Sequence, residues 1–120
     1  MNHIELGQKG EMLAAEFLIR SGHEIMAKNW KARKAEIDLI TKDGDTLVFV
    51  EVKTKSYTYY GSPEEQVDTK KERLIISAAS QYMDSIQYDW KIRFDIISIV
   101  FRSEEDFDLR HYPDAFFPGV

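Results

Sequence analysis

The chain has 120 residues, 43% of them apolar and 31% charged, with a net charge of -5 and no cysteine. This is enough for one domain with a single core, expected to span residues 1–120. The missing thiols exclude disulfides, zinc–thiolate sites and a cysteine nucleophile, and the acidic balance argues against a protein built mainly to coat nucleic acid.

Residues 4–21 read as an amphipathic helix. Leu6, Gly10, Leu13, Ala14, Phe17 and Leu18 fall on one stripe at 3.6-residue spacing, and Gly22 is placed to end it. Glu11 projects to the edge of that stripe, where a carboxylate can look inward. His23 to Trp30 is a weaker strand candidate. Two stronger strands follow, Glu36-Ile37-Asp38-Leu39-Ile40 and Val48-Phe49-Val50-Glu51-Val52-Lys53. In each, charged and apolar residues alternate, so Glu36 shares a face with Asp38, and Glu51 with Lys53. Alternation also puts Ile40 on the Asp38 face and Phe49 on the Glu51 face. A tight turn centred on Gly44-Asp45 would set Asp38 opposite Glu51.

The polar, aromatic loop 54–61 leads to Ser62-Pro63-Glu64-Glu65, which combines an N-cap, a proline at the first helical position and a glutamate at the third. A second helix is expected over 63–86, its apolar stripe built from Val67, Leu74, Ile75, Ala78, Tyr82 and Met83, with Ala79 and Ile86 beside it. After a turn at 87–89, the run 96–101 reads as a buried strand within 90–101. Residues 108–112 are expected as an edge strand, and Phe116 and Phe117 pack the tail. The order helix, strands, helix, strands predicts an α/β layer with a mixed sheet flanked by helices.

Two carboxylates facing each other across strands repel, and a cation between them relieves the repulsion. Carboxylate oxygens suit Mg²⁺ or Mn²⁺. Lys53, beside them, could position a water or steady charge on a phosphate. The competing reading is a solvated sheet face with Glu51 and Lys53 as surface ions. Glu36 is either an accessory ligand or an exposed strand end. Lys28, Lys31, Arg33, Lys34, Lys53, Lys55, Lys70, Lys71 and Arg73 form a basic rim compatible with a phosphodiester, or else an ordinary mixed-charge surface. Tyr57, Tyr59 and Tyr60 could stack on bases or pack over a core edge. His3, His23 and His111 show no ligand spacing.

The order Glu11, Asp38, Glu51-Val52-Lys53 resembles the PD-(D/E)XK nuclease superfamily. More narrowly, the chain resembles the bacterial YraN family, which is similar to archaeal Holliday-junction resolvases. Supporting segments are Gly7-Gln8-Lys9-Gly10-Glu11, Asn29-Trp30, Glu36 to Ile40, Phe49 to Lys55, Gly61-Ser62-Pro63, Lys71, Arg93-Phe94-Asp95-Ile96 and Ala115-Phe116. The family usually has glycine before Glu36, where this chain has Ala35. The resemblance implies a restriction-endonuclease-like fold and Mg²⁺-dependent phosphodiester hydrolysis. Asp38 and Glu51 would hold the metal, Lys53 would assist the attacking water and Glu11 would be an additional catalytic acid. Gln66 matches an accessory glutamine of some relatives. It also implies DNA as partner, for which Lys55, Lys71 and Tyr60 are the candidate contacts, and by analogy a homodimer. Other readings are a non-catalytic nucleic-acid-binding module and an interaction protein on the same fold. The chain has no apolar run long enough for a membrane span and its first residues do not resemble a secretory signal, so a cytoplasmic location is expected.

Overall fold

A computed structural model describes residues 2–56 and 69–116. Helix α1 (His3–Arg20) starts at Asn2, whose side chain accepts the N–H groups of Ile4 and Glu5. It ends in a Schellman turn: the His23 N–H reaches the Leu18 carbonyl at 2.9 Å and the Gly22 N–H reaches Ile19 at 3.0 Å. Gly22 has φ +96° there, a conformation glycine adopts without steric cost.

Among the described residues five strands follow in one sheet: β1 (Glu24–Lys31), β2 (Glu36–Asp43), β3 (Thr46–Ser56), β4 (Ile92–Phe101) and β5 (Phe107–Tyr112), with α2 (Thr69–Ser85) between β3 and β4. Spatial order equals chain order. β1–β2–β3 is an antiparallel meander, β4 pairs parallel to β3, and β5 pairs antiparallel to β4. The one parallel pair needs a crossover, which α2 supplies. The architecture is α/β, with a mixed sheet and, among the described residues, two helices, and is compatible with a restriction-endonuclease-like fold.

The sheet separates two apolar clusters. Ala14, Ala15 and Leu18 of α1 pack on Leu39, Val48, Val50, Ile97 and Ile99. Ile75, Ala78, Ala79 and Tyr82 of α2 pack on Ile37, Ile40, Leu47, Phe49 and Phe94, and Phe116 closes that side. Covering on both faces explains why Leu47–Val50 is an unbroken apolar run.

Two expectations change. The run at 96–101 is not buried throughout: Ile97, Ile99 and Phe101 are buried under α1, while Ile96, Ser98 and Val100 are only half-buried. Ile86 is not beside a buried stripe but is 42% exposed. The helix has already stopped in a second Schellman turn, with Tyr88 N–H on the Met83 carbonyl and Gln87 at φ +55°. The helix start at 62–65, Val67 and Phe117 lie outside the described residues.

Candidate functional site

The hairpin turns where the sequence places it. Gly44 and Asp45 are its central residues, and Gly44 has φ +62°, as the first position of a type II′ turn requires. From there the ladder runs back through Asp43↔Thr46 to Leu39↔Val50 and stops. Asp38 lies one residue further on. It does not continue a regular face-to-face pairing with Glu51. Instead its Oδ2 accepts the backbone N–H of Val52 at 2.7 Å.

Strand alternation breaks at the same point. Ile37 and Ile40, three residues apart, both join the cluster under α2, while Leu39 between them joins the one under α1. The expectation that Asp38 shares the Ile40 face is therefore corrected: Asp38 sits at the break. Neighbouring β1 carries its own irregularities, a register shift between Ile25 and Ala27 and Asn29 at φ +48°. An irregular strand beside a ladder end is a common way to re-aim a functional side chain.

Glu51 faces the α2 side and is buried. Lys71, in the first turns of α2, holds its Oε1 at 2.9 Å. Glu11 comes from the other helix. Its Oε1 accepts the Asn29 side-chain amide at 2.8 Å. Gly10 makes the approach of α1 possible, because a Cβ there would meet Thr54 Oγ1 at 2.3 Å. Glycine at position 10 thus seats the neighbouring Glu11 close to β3.

The electrostatics converge on Asp38. Burial, then the negative charges of Glu51 and Glu11, push its pKa up to about 8, against the opposing pull of the Val52 N–H and Lys71. Lys53 and Lys55 follow Glu51 at alternate positions of β3, opposite Ser98 and Val100 of β4, and are half-buried. Glu36 is exposed at the start of β2, opposite Lys31. Tyr60 and Gln66 lie outside the described residues.

Among the described residues no group of three or more His, Asp or Glu is arranged to enclose a metal ion. Asp38 and Glu51 still fit a Mg²⁺-type ion. That ion commonly binds through one or two carboxylates and keeps several waters. A cation would also relieve the repulsion that raises the Asp38 pKa.

Sequence reasoning missed a second polar centre. Asp95 is fully buried and takes Arg93 Nε and Nη2 at 2.8 and 2.9 Å, His111 Nε2 at 2.8 Å and the Asp114 N–H at 3.0 Å. Burial is the largest influence and acts to raise its pKa. The hydrogen bonds from Arg93, Asp114 and His111 outweigh it, and the net direction is down. Arg93 continues to Asp43 at 3.3 Å, and His23 bonds Thr41 at 2.8 Å. The network ties β2, β4 and β5 together. The signal for it was Arg93 and Asp95 on one face of an otherwise apolar strand, the same pattern that drew attention to Glu51 and Lys53.

The family profile described as Uncharacterised protein family UPF0102 matches residues 10–99. This chain belongs to that family. It is the YraN-type family, so the narrower resemblance stands. The matched span contains Glu11, Asp38, Glu51, Lys53 and Lys71. A UPF0102 protein of Flavobacterium psychrophilum is 43% identical over 115 residues, covering 96% of each chain. One from Rhodococcus jostii is 40% identical, covering 96% of this chain and 98% of its own. One from Chlorobium phaeobacteroides is 42% identical over 92% of both. No helix among the described residues is long and apolar enough to cross a membrane.

Proposed function

We propose that this UPF0102 protein is a Mg²⁺- or Mn²⁺-dependent nuclease that hydrolyses phosphodiester bonds in DNA, with branched or structured DNA as the substrate class suggested by the resolvase resemblance. The observation that carries the reading is the Asp38 carboxyl, whose pKa is pushed up to about 8 by burial and the charges of Glu51 and Glu11. Sites that keep a carboxylate under such strain are disproportionately functional.

In this reading Asp38 and Glu51 hold the ion. Bound there, a divalent ion would supply positive charge against the phosphate and make water more acidic. Val52 fixes the Asp38 carboxylate through its N–H. Lys53 orients the attacking water, and Glu11, steered by Asn29, adds negative charge from the helix side. Lys71 neutralises part of the Glu51 charge.

The test is direct. Mn²⁺ titration of the wild type should show binding that Asp38→Asn abolishes, and a labelled four-way junction should be cut only with metal present. Lys53→Ala should bind the junction and leave it uncut. Equal Mn²⁺ binding by wild type and Asp38→Asn would remove this site.

The Lys71–Glu51 ion pair favours one second reading, a nucleic-acid-binding module that does not cut, since an internal ammonium already neutralises one carboxylate. It predicts salt-sensitive DNA binding with no cleavage in any divalent metal.

A further inference from the structure

A groove of about 250 Å³ lies between the loop 32–35, which joins β1 to β2, and the middle of α2. Arg33 and Lys34 line one wall, while Leu74, Ser77 and Gln81 line the other. None of its described lining residues is acidic, in a chain whose net charge is -5. Arg33, Lys34, Ser77 and Gln81 are all exposed.

The groove is aligned with the carboxylate site. Residues 74, 77 and 81 form one stripe of α2, and Lys70 belongs to the same stripe one turn nearer the N-terminus. Lys71, beside Lys70, is the residue that holds Glu51. The opposite wall runs into Glu36-Ile37-Asp38. Both walls therefore lead towards the carboxylates. At the far end Asp84 takes the next place on the α2 stripe.

We propose that this groove is a track for the phosphodiester backbone of a nucleic-acid strand, delivering it from Gln81 towards Asp38 and Glu51. Arg33 and Lys34 neutralise phosphates from the loop side. Ser77 and Gln81 donate from the helix side, and Lys70 receives the strand at the site. From Leu74 to Gln81 the helix rises about 10 Å, the axial length of about three stacked nucleotides. The proposal takes its ligand from the nuclease reading but does not need metal or cleavage.

The test is the salt dependence of binding to a fluorescein-labelled single-stranded DNA oligonucleotide, read by anisotropy in metal-free buffer. Arg33→Gln with Lys34→Gln should reduce the slope of log K against log salt by about 1.4, about 0.7 for each phosphate no longer neutralised. Arg20→Gln with Arg110→Gln removes equal charge elsewhere on the surface and should leave the slope unchanged. Gln81→Glu should weaken binding by repulsion without removing any cation. An unchanged slope in the groove variant, or an equal reduction in the control pair, overturns the proposal. Mn²⁺ binding measured on the same groove variant should equal wild type. If Mn²⁺ binds neither protein while the slope still falls, the metal reading fails and the groove stands.

Discussion

Asp38 should make this protein less stable as pH rises through neutrality, and Asp38→Asn should remove that loss. The folded carboxyl has its pKa pushed up to about 8, against 3.8 when exposed. Between those values the folded state keeps a proton that the unfolded chain has released. Stability therefore falls as pH rises through this window and levels off above it. One proton sets a maximum slope of about 1.4 kcal/mol per pH unit, which accumulates to about 5 kcal/mol at most between pH 4 and pH 8. That is comparable with the whole stability of a small domain, so the effect is measurable even if much of it is relieved by relaxation. Asparagine keeps an oxygen for the Val52 N–H and carries no charge. Wild type and Asp38→Asn should be close near pH 4 and diverge steadily towards pH 8, the variant being the more stable. Urea unfolding at each pH, with m-values compared, measures the gap. Adding Mn²⁺ at pH 8 should stabilise the wild type and not the variant, because the ion binds the folded carboxylate. Parallel pH profiles for the two proteins would refute the electrostatic account of this site.

Asp95 carries the opposite sign. Its pKa is held below the ordinary carboxylate range, so the stability it contributes is present at neutral pH and is lost as pH falls through its folded value. Asp95→Ala leaves Arg93 and His111 without their buried partner and should cost about 3–5 kcal/mol in urea unfolding at pH 7. Gly10→Ala forces a Cβ onto Thr54 and should destabilise by about 1–3 kcal/mol, despite up to about 1 kcal/mol gained in helix propensity. If Glu11 depends on that close approach, the same variant should also weaken Mn²⁺ binding; urea unfolding reads the first effect and calorimetric titration the second. Gln87→Gly relieves a residue held at φ +55° and should stabilise by about 0.5–1 kcal/mol, seen as a higher melting temperature.

The sequence by itself determined the element order, the Gly44-Asp45 hairpin, the glycine that ends α1 and the apolar run of the central strand. These depend on turn chemistry, capping and periodicity, which act over a few residues and can be read without knowing what lies across the sheet. It also marked Glu11, Asp38 and Glu51, because carboxylates among apolar residues need a reason to be there. Their arrangement was a tertiary matter. Alternation predicted a regular facing pair, but the ladder ends at Leu39↔Val50 and Asp38 turns to the Val52 N–H. Glu11 reaches the site because Gly10 lets α1 lie against Thr54, a contact between residues 44 positions apart. The Arg93–Asp95–His111 network and the groove between 32–35 and α2 likewise join segments distant in the chain. Local patterns carry no information about such pairings until the sheet order is fixed. Packing also sets the burial that turns Asp38 from a surface acid into a strained one, since desolvation is a property of everything around the side chain.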